Sequence, residues 1–247
     1  MDHQWISGAF TGKPLPPSGF SKNAAQADTT VDKGKKAGSL KQYVYQQIIE
    51  SLCSGGFSQD TILTERQIVA HYGVSKAPVR EALIQLCYED VLRSIPRCGY
   101  QIVPITAKRI RDLTDLRLIL EPASLPAVLE NLTEEKIQGF KDACNNDLEG
   151  GTLWATWSKN IRFHIQLNLC AQNVQVTNVL ERTLISCALA YAQTFQQHGQ
   201  VVGTSQESFH TQIISALERN ELYTAQNCLR QDILEMMRQL LPSHSAL

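Results

Sequence analysis

Apolar residues recur at every fourth position from Leu40 through Val44 and Ile48 to Leu52, which predicts a helix ending at Gly55-Gly56. Thr64 and Gln67 then have the spacing of a capping box, so a second helix is expected from Glu65, with Ile68, Val69 and Tyr72 as its apolar side. Gly73 can turn the chain at positive φ without a Cβ clash. Ser75 is a good N-cap for a third helix, flanked by the hydrophobic staple Val74/Val79. Pro78 falls in its first turn, where a missing N–H costs nothing, and Val79, Leu83 and Leu86 face inward. Residues 91–95 and 100–104 read as two short strands around Pro96-Arg97-Cys98-Gly99, with Ile62 and Leu63 as a short strand beside them. Two helices across a glycine turn, followed by a hairpin, make a winged helix-turn-helix.

After Pro104 the alternation gives way to helical periodicity. Thr106 caps a helix with Ile110, Leu113, Leu116 and Leu120 inside, running to about Leu129, in which Pro122 and Pro126 are expected to force a bend or break. Thr133 caps the next helix, Glu149-Gly150-Gly151 separates it from one running through Asn168, and Asn173 starts another that ends near His198. Residues 199–204 read as a loop before two last helices. The fold class is therefore mainly α: an N-terminal winged helix-turn-helix and a C-terminal all-α six-helix bundle. The domains are residues 39–104 and 105–247, behind a Gly-, Pro- and Ser-rich stretch over 1–38 that reads as a flexible arm.

Composition narrows the class. The chain is 43% hydrophobic, without an apolar run long enough to span a membrane or an export-signal pattern at its start. Seven cysteines without a CxxC pair suggest reduced thiols and a cytoplasmic protein. Net charge is only −1, and residues 39–104 hold six basic and six acidic groups. Any DNA-reading surface must therefore group its cations on one face while Glu50, Asp60, Glu81 and Glu89 point elsewhere. No hydrolase motif such as HExxH is present, and an enzyme is not expected.

Lys76 and Arg80 lie four apart at the start of the third helix, the end that reaches base edges and phosphates when such a helix enters a major groove. Arg97 would tip the wing. The stretch LTERQIVAHYGVSKAPVREALIQLCYEDVLRSIPRCGYQIVP resembles the winged helix of the GntR family of bacterial transcription regulators. That resemblance implies contacts to double-stranded DNA from Arg66, Ser75, Lys76, Ala77, Arg80, and the wing from Arg97 to Gly99. Two positions depart from the pattern: Lys76 often appears as Arg, and Glu89-Asp90 replaces an acid-glycine pair.

The resemblance continues more weakly to the end of the chain, where it is similar to the FCD effector domain of the FadR-type branch. It implies a homodimer on a near-palindromic operator and a small-molecule effector, an organic acid, bound in the bundle. It further implies a divalent metal site at Asn160, His164, His210 and Asp232, holding zinc, nickel or manganese. Asn160 stands where the family has Asp, and Asp232 where it has His, so the formal charge of the set is kept. The alternative is a site without metal, in which these side chains bond each other or the effector. Arg117 matches a position near the family's effector pocket, and would either hold an organic acid or pair with Glu121 one turn on.

Overall fold

The computed structural model describes residues 37–54, 57, 60–145, 153–198 and 206–241. The sequence expectations for 1–36, Gly55-Gly56, 149–151 and 199–204 lie outside them. The chain divides between Pro104 and Ile105 into two compact units. Nine helices and a three-stranded sheet make up the regular structure among the described residues.

The first unit opens with α1 (Ala37–Cys53), which starts a turn earlier than its apolar stripe requires. It packs against α3 (Lys76–Tyr88), and Val44, Ile48 and Leu52 meet a core that includes Ile68, Val79, Leu83 and Leu86. Between them runs α2 (Glu65–Tyr72). Its capping box is formed: Gln67 N donates to Thr64 Oγ1 at 3.2 Å, and Thr64 N donates to Gln67 Oε1 at 3.0 Å. Gly73 closes α2 at φ 64°, the left-handed conformation that a residue without Cβ adopts at no cost. Ser75 holds the N-cap position of α3 in extended conformation, but its hydroxyl makes no cap hydrogen bond. The predicted position is right, but the hydroxyl does not cap the helix's first N–H groups.

Strands β1 (Ile62–Leu63), β2 (Leu92–Ile95) and β3 (Gly99–Ile102) form an antiparallel sheet in the order β1-β3-β2, with Ile95 opposite Gly99. The wing's tight corner uses two left-handed positions, Arg97 at φ 63° and Gly99 at φ 137°. A Cβ on Gly99 would meet the Leu63 carbonyl oxygen at 2.4 Å, so only glycine lets β1 lie so close. Asp90 enters the wing at φ 55°, which explains why glycine suits that place better. Its neighbour Glu89 accepts hydrogen bonds from Tyr45 at 2.6 Å and Gln85 at 2.9 Å.

The second unit is built from α4 (Ala107–Glu130), α5 (Glu134–Asn145), α6 (Leu153–Cys170), α7 (Val174–His198), α8 (Gln206–Glu218) and α9 (Leu222–Leu240). Residues 183–190 of α7 are buried on every side, as in a central helix of a bundle. Neither proline breaks α4. Pro122 and Pro126 each leave the carbonyl four residues earlier without its helical donor. Both carbonyls find one on α9: Arg230 Nη1 donates to Leu118 O at 3.5 Å, and Gln226 Nε2 to Pro122 O at 3.0 Å. The neighbouring helix supplies what the prolines removed, and in doing so fastens α4 to α9.

Candidate DNA-reading face and buried polar centre

Residues with chemistry gather at two places, one in each unit. On the first unit, Arg66, Ser75, Lys76, Ala77, Arg80 and Arg97 are all exposed, while Gly99 is half-buried against β1. The side chains of Lys76 and Arg80 are 67% and 55% exposed, enough for both cations to be reached from solvent. Neither is unpartnered. Glu65, the first residue of α2, accepts from Arg80 Nε at 2.9 Å and Nη2 at 3.3 Å, and from Lys76 Nζ at 3.3 Å.

The hydrogen bond from Arg80, with Lys76 beside it, holds the Glu65 carboxyl below the usual carboxylate range. Tyr100, on β3, also touches Glu65; burial first, then that carboxylate, pushes the phenol up. One carboxylate thus ties α2, α3 and the wing together. Its spacing of 11 and 15 residues from the two cations gave no local signal, so sequence reasoning set other acids aside and passed over this one. Arg93 was also missed: exposed on β2, it grips Gln101 Oε1 across the sheet with Nε at 3.0 Å and Nη2 at 2.7 Å.

The second place lies inside the bundle, where α4, α6, α8 and α9 bring together Arg117, Glu121, Asn160, His164, His210 and Asp232, all buried. Arg117 Nε donates to Glu121 Oε1 at 2.6 Å, and the other Glu121 oxygen lies 2.6 Å from His164 Nδ1. His164 Nε2 is 3.1 Å from Asp232 Oδ2, and His210 Nε2 is 3.7 Å from Asp232 Oδ1. Phe163 stacks on the His210 ring at 4.0 Å between centroids.

Charge balance accounts for the protonation preferences. Burial works against a charged His164, yet Glu121 and Asp232 outweigh it despite Arg117, and its pKa is raised. Burial would likewise raise Glu121 and Asp232, but Arg117 and His164 on the first, and His164 on the second, hold both below the ordinary range. For His210 burial outweighs the pull of Asp232 and pushes it down to about 4, so it is a neutral imidazole at neutral pH.

Three features bear on what the centre can hold. His164, His210 and Asp232 each offer one ligand atom, all within 4.8 Å of one another. Asn160 Oδ1 and Asp232 Oδ1 are buried without a hydrogen-bond partner, an uncommon and costly state. The Asn160 amide nitrogen lies 3.5 Å from His210 Nε2, which brings the fourth predicted residue to the same spot. Of the two roles expected for Arg117, the structure shows the ion pair with Glu121 one turn on. Its Nη1 donates to the Met236 sulfur at 3.6 Å, a weak acceptor, and its Nη2 lies 3.1 Å from His164 Nε2. Glu121 entered the sequence reading only as a partner for Arg117; its hold on His164 depends on α4 meeting α6 and had no signal in the spacing.

Comparison with known proteins places both units. Residues 40–102 match the family model described as bacterial regulatory proteins, gntR family, and residues 112–235 match that of the FCD domain. The HTH-type transcriptional regulator YdhC of Bacillus subtilis (strain 168) is 26% identical over 144 residues, which cover 56% of this chain and 63% of that protein. The gluconate operon transcriptional repressor of the same organism is 41% identical over 70 residues, 28% of each chain. The chain thus spans less than two thirds of the length of these relatives.

Among solved structures, E. coli McbR/YncC superposes with a TM-score of 0.71 at 16% identity, over 81% of this chain and 96% of that one. A GntR transcriptional regulator from Rhodococcus sp. RHA1 gives 0.68 at 18% identity, over 83% and 99%. At such identities these likenesses speak for the fold alone. The matched families and curated relatives are transcription regulators, not enzymes. No described helix is long and apolar enough to cross a membrane.

Proposed function

The chain belongs to the GntR family of transcriptional regulators with an FCD effector-binding domain, and from that premise we propose that it acts in the cytoplasm as a homodimer switched by a small organic acid. Each winged helix, in residues 39–104, takes one half-site of a near-palindromic operator. The observation that carries the reading is the exposed pair Lys76 and Arg80 at the start of α3, beside a Ser75 hydroxyl that caps nothing. That end of the helix offers free N–H groups and positive dipole to phosphate, while Arg80 reaches base edges in the major groove. Arg66 and the backbone at Ala77 supply neighbouring contacts, and Arg97 carries a cation to the wing tip. Gly99 serves by letting the wing close on β1.

In the bundle, residues 105–247, Arg117 takes the effector's carboxylate through Nη1, exchanging the weakly accepting Met236 sulfur for a charged oxygen. The donor set fits a divalent ion such as zinc, nickel or manganese, because the two orphaned oxygens of Asn160 and Asp232 stand beside His164 and His210. Those four residues would hold the ion, which would supply a Lewis-acidic anchor for an oxygen ligand. Glu121 keeps the Nδ1 proton of His164 on its own side, so that Nε2 faces Asp232 and His210.

Arg80→Ala tests the DNA half. A gel shift with a duplex selected from a random pool by the wild-type chain is expected to show loss of specific binding, with the dimer intact by sedimentation. Unchanged affinity would refute the assignment. Elemental analysis and native mass spectrometry of the purified chain test the bundle half, and a chain carrying neither ion nor acid after purification and metal challenge would count against it.

A further inference from the structure

We propose that Glu65 is a specificity-determining positioning residue: it presents Arg80 end-on to a guanine and holds the reading face back from DNA of the wrong sequence. The proposal rests on the DNA-reading assignment above and concerns a residue to which nothing in that assignment gives a role.

The geometry is specific. A guanidinium carries five N–H groups in a rigid plane. Glu65 engages Arg80 from the side, through Nε at 2.9 Å and one edge of Nη2 at 3.3 Å. What remains is the end-on fork, both Nη1 protons and the second Nη2 proton, the pair of donors that matches guanine O6 and N7. An arginine held in this way keeps its most selective edge and loses rotamers that would otherwise reach any nearby phosphate. Lys76 is restrained by the same carboxylate at 3.3 Å. Because an ammonium has no fork geometry, that contact chiefly lowers the charge available to phosphate.

Charge makes the second half of the case. Residues 39–104 have no net positive charge, so affinity for an arbitrary duplex depends on a few local cations. Glu65 sits among them, in contact with Arg80, Lys76 and Tyr100. On a mismatched site the carboxylate faces phosphate with no base contact in return. On a matched site the Arg80–guanine fork offsets it. The difference between the two widens, and binding to random sequence is suppressed.

The test compares two variants with wild type on two duplexes, one selected from a random pool by the wild-type chain and one scrambled to the same composition. Glu65→Gln removes the charge and keeps the size. It is expected to bind the scrambled duplex about tenfold more tightly, with a salt dependence steeper by about one unit of slope, while affinity for the selected duplex does not rise in step. Glu65→Asp keeps the charge and shortens the reach to Arg80. It should leave scrambled-duplex affinity near wild type and weaken the selected duplex. Helix content and unfolding midpoint should match wild type in both, since Thr64 and Gln67 cap α2 without Glu65.

A Glu65→Gln chain that weakens equally on both duplexes would show a merely structural role and overturn the proposal. An unchanged ratio between the duplexes would overturn it as well. A wild type that fails to discriminate the two at all would instead remove the DNA-reading assignment, and this proposal with it.

Discussion

Each unit sets one glutamate among cationic or protonated groups, and the two settings give opposite properties. Glu65 holds Arg80 and Lys76 in water; Glu121 holds Arg117 and His164 in the core of the bundle. At the surface, solvent and salt weaken such a pair, so its cations can exchange the carboxylate for a phosphate or a base. Inside, the same chemistry cannot be undone piecemeal, because removing one partner strands a charge without water. The exposed cluster is suited to exchange, and the buried one to a fixed frame around a ligand.

The comparison would break first at Glu121. Glu121→Ala is expected to cost about 3–5 kcal/mol in urea unfolding of the bundle, because Arg117 and a raised-pKa His164 are left to share Asp232 alone. Glu65→Ala in the same assay should leave the midpoint where it was. A loss at Glu121 no larger than at Glu65 would mean that the buried centre is wet and freely adjustable.

A backbone change sharpens the contrast, since the reader depends on close strand approach more than on buried charge. Gly99→Ala places a Cβ against the Leu63 carbonyl at a φ that side chains avoid, and should cost about 1–3 kcal/mol. The expected sign is loss of thermal stability in the first unit together with weaker DNA binding, with the bundle's transition unmoved. The smallest effect lies at the wing's entrance. Asp90→Gly relieves a left-handed residue at φ 55° and should stabilise the unit by about 0.5–1 kcal/mol, read as a rise in its unfolding midpoint.

Local chemistry made the first unit readable from sequence. The Thr64/Gln67 box, the Gly73 turn and the Ser75 cap position are written within a few residues of each other, and each took its expected place. Where a feature needed a second element, the sequence was silent. Pro122 and Pro126 look like breakers until Gln226 and Arg230, more than a hundred residues on from the carbonyls concerned, donate to them. Glu65 and Glu121 are ordinary acids in the sequence, and only the fold brings each to its cations. The four residues at the buried centre were visible because two of them share a helix face and the family resemblance supplied the rest. Phe163, which stacks on His210, and Met236, which accepts from Arg117, are plain apolar residues in the sequence and were not visible.

The central claim is that the start of α3 reads base edges in the major groove. Methylation interference on the selected operator tests it most directly, because one reagent marks guanine N7 in the major groove and adenine N3 in the minor. We expect methylation of a guanine N7 in each half-site to block wild-type binding, and to lose that effect in the weak residual binding of Arg80→Ala. Interference confined to adenine N3, with every guanine tolerated, would contradict the account.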